Sequence, residues 1–344
     1  MNLYAVLSDI HGNYEALKAV EQDTRQQAKK AQVTQVQFVC LGDVVDYGPC
    51  PNECMQWVVD NVEPNLFIRG NHDQDVVTSG PPRTIHSDFW PIHLWTRHVL
   101  ELRYQEFLST HTQWKSVAPD GLKDFTLLHG SLFGVEGRIE SDGSARTNLE
   151  HLKTSYGLFG HTHYQGCFCD QGKFVRGKYQ EYFMHLTPPE DYRIDTGFLS
   201  KTNWRPLALN TWHPLPTAQR MLINPGSVGQ PRRHANHKDA TTGEVPHDPK
   251  AAYLLLALNG DGPGKFQFRR VPYAVGETVQ QLREIQYPTP TKVKYASIDQ
   301  DRGEHTTKDQ TDPWEKLRYV QENIHELLPD LIERTLIPTL LDGH

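Results

Sequence analysis

The 344-residue sequence has no long hydrophobic run, few cysteines and no cluster of basic residues. Its longest apolar stretch, Ala251 to Leu258, is far short of the ~20 residues that a membrane-spanning helix needs. The opening Met-Asn-Leu-Tyr-Ala-Val-Leu-Ser-Asp lacks the basic start, apolar segment and small-residue cleavage site of a secretory leader, so a cytoplasmic location is expected. The five cysteines, Cys40, Cys50, Cys54, Cys167 and Cys169, are an odd number, which fits reduced thiols better than a disulfide framework. Neither close pair has Cys-x-x-Cys spacing, which argues against a thiolate zinc site. A net charge of -7 with no run of Lys or Arg gives no extended footprint for a nucleic-acid backbone, so nucleic acid is disfavoured as a partner.

What is present suits a folded protein. The hydrophobic share of 37% and the charged share of 22% are ordinary, and the length allows one large domain with insertions or two modest ones. Short apolar runs at Leu3–Ser8, Val36–Leu41, Asn65–Arg69, Phe125–Leu128, Tyr156–Phe159 and Met221–Ile223 read as strands covered on both faces. Each is followed at once by Asp, Asn, His or a Gly turn. Asn13–Lys30 and Asn52–Asn61 read as helices between them, which gives an α/β pattern of strand, loop and helix. In such folds ligands collect in the loops beyond the carboxyl ends of the strands.

Three segments read as additions: Pro82–Thr112, aromatic and helical; Asp170–Arg220, polar, aromatic and Pro-containing; and the loop Ala235–Lys250. The latter two read as a lid over the site, a contact between copies in a homo-oligomer, or plain surface excursions. Gln286–Thr311 reads as linker. Asp312-Pro313 then starts a helix, whose apolar stripe from Trp314 to Leu331 docks on its own core or on a partner. The expected division is a domain over 1–275 and a linker with helical extension over 276–344.

Five short signatures stand at strand ends, in this order: Asp9-Ile10-His11, Gly42-Asp43-Val44-Val45-Asp46, Gly70-Asn71-His72-Asp73, His129-Gly130 and Gly160-His161-Thr162-His163. Any one alone is a common turn or polar pair. Together they send carboxylate, amide and imidazole groups from five strands to one sheet edge. Mixed N/O donors without thiolate suit Mn, Fe, Zn, Co or Ni better than Ca or Mg.

This ordered set resembles the calcineurin-like metallophosphoesterase superfamily. The likeness extends through Ile223-Asn224-Pro225-Gly226-Ser227-Val228-Gly229-Gln230-Pro231-Arg232 and the strand ending Val271-Pro272-Tyr273, which resemble its small bacterial and archaeal phosphodiesterase-like branch. It implies a four-layer αββα sandwich of two mixed β-sheets flanked by helices. By the same resemblance Asp9, His11 and His163 would hold one divalent metal ion, Asn71, His129 and His161 a second, and Asp43 would bridge them. A bridging hydroxide would then attack phosphorus in line, His72 would contact the phosphate and protonate the leaving oxygen, and Asp46 would orient His72.

Asn13 and Arg232 are candidates for the substrate phosphate, while Asn13 and Asp73 also read as loop braces. Tyr47-Gly48 follows Asp46 where the superfamily's Ser/Thr protein phosphatases have a phosphate-binding Arg, which disfavours phosphoprotein substrates. The expected activity is a phosphodiesterase or phosphomonoesterase on a small or nucleotide-like substrate. A nuclease and a non-catalytic interaction module are the alternatives.

Overall fold

The computed structural model describes residues 1–78, 90–170, 181–185, 209–217, 219–231, 250–259 and 262–285. In chain order the first part gives β1 (Asn2–Leu7), α1 (Tyr14–Lys30), β2 (Val36–Cys40), α2 (Pro51–Asn61), β3 (Val62–Phe67) and α3 (Asn71–Val77). The middle gives α4 (Trp90–Val99), α5 (Leu102–Thr110), β4 (Lys115–Val117), β5 (Phe125–Leu128), α6 (Asp142–His151) and β6 (Tyr156–Leu158). Then follow β7 (Gly166–Asp170), β8 (Glu181–His185), β9 (His213–Pro214), β10 (Met221–Asn224), β11 (Ala251–Asn259), β12 (Gly262–Val271) and α7 (Val275–Glu284).

The strands form two mixed six-stranded sheets, ordered β3-β2-β1-β11-β12-β9 and β4-β5-β6-β10-β7-β8. The pleat of the second sheet shows how they stack. Phe125, Leu127, Tyr156, Leu158, Cys167, Cys169, Met221 and Ile223 join a core shared with the first sheet. Their alternating neighbours Leu128, Phe168 and Leu222 join a separate cluster with Ala145 and Leu149 of α6. On the first sheet, α1 lies over β11, β12 and β2, and α2 over β2 and β3. The layers are therefore helices, sheet, sheet and helix, the four-layer α/β arrangement expected above.

Helix α1 forms where Ala16, Leu17, Val20, Thr24 and Ala28 make one buried face, with Asn13 as its N-cap accepting from the Ala16 amide at 3.2 Å. Pro51 stands in the first turn of α2, where a missing N–H costs nothing. The aromatic insertion supplies α4 and α5, which pack on α3. Helix α7, which no sequence pattern singled out, buries Thr278, Val279 and Leu282 and packs on α1. The five thiols are free, and none joins a cluster able to hold a metal among the described residues. No helix among them is long and apolar enough to cross a membrane. The expected C-terminal helix, most of 170–220 and the loop 235–249 lie outside the described residues.

Candidate metal centre

Strands β1, β2 and β3 run parallel in the first sheet, and β5, β6 and β10 run parallel in the second. The chain just past five of these carboxyl ends carries all five signatures. Two glycines let the loops meet: Gly42 has φ +92°, and a Cβ on it would strike the Gly70 backbone, while a Cβ on Gly70 would strike Asp43. The sheets are joined at the same place, where the His161 amide donates to the Asp9 carboxylate at 3.1 Å.

Backbone strain is concentrated here. Of ten described non-glycine residues with positive φ, seven are Asp9, His11, Asp43, Asp46, Tyr47, His161 and His163. Such residues persist only where the surrounding structure over-determines them, so the concentration itself marks a functional site. Asp73 supplies part of that determination. Its buried carboxylate accepts the backbone amides of Asp43 (2.8 Å), Val44 (2.8 Å), Val45 (3.2 Å) and Gly70 (3.0 Å), tying two signature loops together.

The imidazoles are oriented one by one. Nδ1 of His11 donates to the Val45 carbonyl at 3.0 Å, Nδ1 of His129 to Leu41 at 2.7 Å, and Nδ1 of His163 to Gln230 at 2.8 Å. Each Nδ1 therefore carries a proton, and each Nε2 points inward. His11 Nε2 and His163 Nε2 are 3.1 Å apart, and His163 Nε2 is 3.4 Å from Asp9 Oδ1. His129 Nε2 is 3.0 Å from Asn71 Oδ1 and 3.2 Å from Asp43 Oδ2. Converging imidazole nitrogens and carboxylate oxygens, almost all buried, are what a divalent cation of the N/O-binding class requires once any proton is displaced, so the residues present fit a metal. Asp9, His11 and His163 form one group able to hold an ion, and Asp43, His129 and His161 another; a third joins His11, Asp43 and His72.

Without an ion the groups perturb one another strongly. Burial pushes the Asp9 carboxyl up to about 7 against the pull of the His129 charge, with Asp43 adding to the rise. Burial drives His11 down to about 3, and burial with the His129 charge does the same to His161. Burial opposes protonation of His129, yet Asp43 beside it lifts it to about 9. Beyond this set, Asp46 Oδ2 accepts from His72 Nδ1 at 2.8 Å, which leaves His72 Nε2 facing the Tyr47 hydroxyl at 3.4 Å.

Residues 3–165, which include every signature, match the family model of calcineurin-like phosphoesterases. The match covers a little under half of the chain and is a likeness of that segment. An uncharacterised protein of Methanocaldococcus jannaschii is 36% identical over 110 residues, 32% of this chain and 42% of that relative. The fold is shared with a metallophosphoesterase from Sphaerobacter thermophilus, at TM-score 0.59 and 24% identity over 83% of this chain and 94% of that one. It is shared also with a hypothetical protein from Pyrococcus horikoshii, at TM-score 0.55 and 18% identity over 84% and 95% of the two chains.

The structure brings Asp9, His11, Asp43, Asn71, His129, His161 and His163 together, with His72 and Asp46 beside them. It does not free Asn13 for a substrate phosphate. The Asn13 amide donates to the Gly229 carbonyl (3.1 Å) and the Tyr273 hydroxyl (3.0 Å), and its oxygen accepts from Ala16 N and from Thr278 Oγ1 (3.1 Å). Its polar capacity is spent on capping α1 and bracing α7, and a signal existed, since Asn directly before a helix is a favoured cap. Arg232 lies outside the described residues. Two neighbours escaped assignment from sequence. Tyr47 was noted only as a departure from the protein-phosphatase pattern. His93 sits in the aromatic insertion with nothing around it to mark chemistry.

Proposed function

We propose that this chain is a metal-dependent hydrolase of phosphate esters, acting on a small or nucleotide-like monoester or diester. The observation that carries this reading is the convergence of imidazole nitrogens and carboxylate oxygens from five strand ends, with Nδ1 of His11, His129 and His163 anchored on backbone carbonyls. Asp9, His11 and His163 would hold one divalent ion, Asn71, His129 and His161 a second, with Asp43 shared. When bound, such ions supply positive charge for phosphoryl oxygens and lower the pKa of water towards neutrality.

The chain's own residues do the remaining work. Asp46 fixes the His72 ring so that Nε2 faces inward. Burial opposes protonation of His72, but Asp43 and then Asp46 outweigh it and raise its pKa, so the ring is suited to carry a proton to the leaving oxygen. The Tyr47 hydroxyl stands beside that nitrogen, able to donate to a substrate oxygen. Buried Asp73 keeps the loops bearing Asp43, Asn71 and His72 in register. The retained donor set supports an enzyme over an interaction module, and the absence of a basic run weighs against a nuclease.

The test is turnover of mono- and bis-nitrophenyl phosphate with Mn. Activity is expected with at least one, and Asp43→Asn or His72→Ala should lower it by roughly 100-fold or more while the fold survives. No turnover of either ester by metal-loaded protein would reject the reading.

A further inference from the structure

His93 belongs to α4, in the insertion between the third and fourth signatures, yet its Nδ1 donates to Asp46 Oδ2 at 2.9 Å. The same oxygen accepts from His72 Nδ1 at 2.8 Å. Both His93 and Asp46 are 1% exposed. Neither Asp46 Oδ1 nor His93 Nε2 has a hydrogen-bond partner among the described residues. Asp46 thus has no backbone amide holding its carboxylate, in contrast to Asp73 with its four. Its own backbone is left-handed at φ +71°, as is that of Tyr47 next to it at φ +65°. Among the described residues, two imidazoles on one oxygen orient it.

Resting on the hydrolase reading above, we infer that His93 is a positioning residue, which pins the Asp46 carboxylate so that Asp46 can in turn aim His72 at the leaving oxygen. The geometry permits little else. With Nδ1 committed to Asp46 and Nε2 buried, His93 has no route to substrate. Its removal leaves a buried carboxylate held by the single hydrogen bond from His72, with its rotation about the Cβ–Cγ bond less constrained. Burial opposes ionisation of Asp46, but His93 and His72 beside it outweigh burial and hold its carboxyl well below the usual carboxylate range. By this arrangement the α4 insertion, which packs on α3, acts through Asp46 on the proton donor of the site.

The test uses His93→Ala, His93→Asn and His93→Gln in the full chain. Asn places an N–H where Nδ1 stood and should rescue; Gln places it one bond further out and should not. In metal-free protein the His72 Nδ1–H proton should be a slowly exchanging, downfield NMR signal in wild type and His93→Asn, and broaden away in His93→Ala. In a series of aryl phosphates His93→Ala should lower kcat roughly tenfold for phenyl phosphate, whose leaving group needs a proton. For 2,4-dinitrophenyl phosphate, whose leaving group does not, the loss should stay below about threefold, with KM little changed. An unchanged His72 signal, or a rate loss uniform across leaving groups, would overturn the inference. A wild type inactive on every ester would instead reject the hydrolase reading, and the NMR signal would still decide the role of His93.

Discussion

His129 Nε2 lies 3.2 Å from Asp43 Oδ2 while the opposite ring nitrogen donates to the Leu41 carbonyl at 2.7 Å. Both nitrogens face acceptors, so the metal-free ring carries two protons and a positive charge, in accord with a pKa lifted to about 9. A metal can take Nε2 only if that proton leaves. Binding of Mn at pH 7 should therefore release about one proton per chain from His129 and a further fraction from Asp9, whose carboxyl is pushed up to about 7. Calorimetry in buffers of differing ionisation enthalpy measures this, and binding enthalpies identical in all buffers would contradict it. The sign follows from the shift: below pH 9 the proton must be displaced, so affinity rises with pH up to that point.

Tyr47 holds its hydroxyl 3.4 Å from His72 Nε2, with its ring against both His11 and His72. Tyr47→Phe keeps the ring contacts and removes the hydroxyl proposed above to donate to a substrate oxygen. Steady-state kinetics should show roughly a 5- to 10-fold fall in kcat/KM with metal content unchanged. Wild-type kinetics would show that the hydroxyl faces the site without acting in it.

His161 combines a left-handed backbone at φ +66° with an imidazole that makes no hydrogen bond among the described residues and is kept neutral by burial. Glycine relieves that backbone. His161→Gly should leave the metal-free protein as stable as wild type or more stable by about 1 kcal/mol, while abolishing most of the stabilisation that added Mn gives. Thermal unfolding with and without Mn reads both halves; destabilisation of the metal-free variant would show that the ring contact with His129 outweighs the strain.

Far from the centre, Asp23 ties α1 to the first sheet. Its carboxylate accepts from Arg269 Nε (2.6 Å) and Nη2 (2.8 Å), from the Tyr253 hydroxyl (2.6 Å) and from Gln27 (3.0 Å). Burial alone would raise its pKa, but these donors together hold it below the usual value. The stabilisation is therefore complete above an unfolded-state pKa of about 3.9 and fades as pH falls through the lower folded value. Urea unfolding should show a constant advantage of wild type over Asp23→Asn from pH 8 to pH 5, shrinking under more acid conditions. An advantage independent of pH would assign it to packing.

The fold was legible in sequence where residues act locally. Strands such as Val36–Cys40 and Phe125–Leu128 are short apolar runs stopped by polar loops, and α1 carries its face at helical spacing with its cap in place. The order of strands was not legible, because nothing in Ala251–Asn259 says that it pairs antiparallel with β1 in the middle of a sheet. Of the site, the motif letters announced the donors but not their left-handed backbones, nor the four amides gathered by Asp73. His93 was invisible for a simpler reason: its chemistry lies wholly in a carboxylate 47 positions away in sequence.

Anomalous diffraction from crystals soaked in manganese would locate the ions themselves. Two peaks per chain are expected, one among Asp9, His11 and His163 and one among Asn71, His129 and His161, with Asp43 between them. A map without peaks there, in crystals that take up manganese elsewhere, would contradict that expectation.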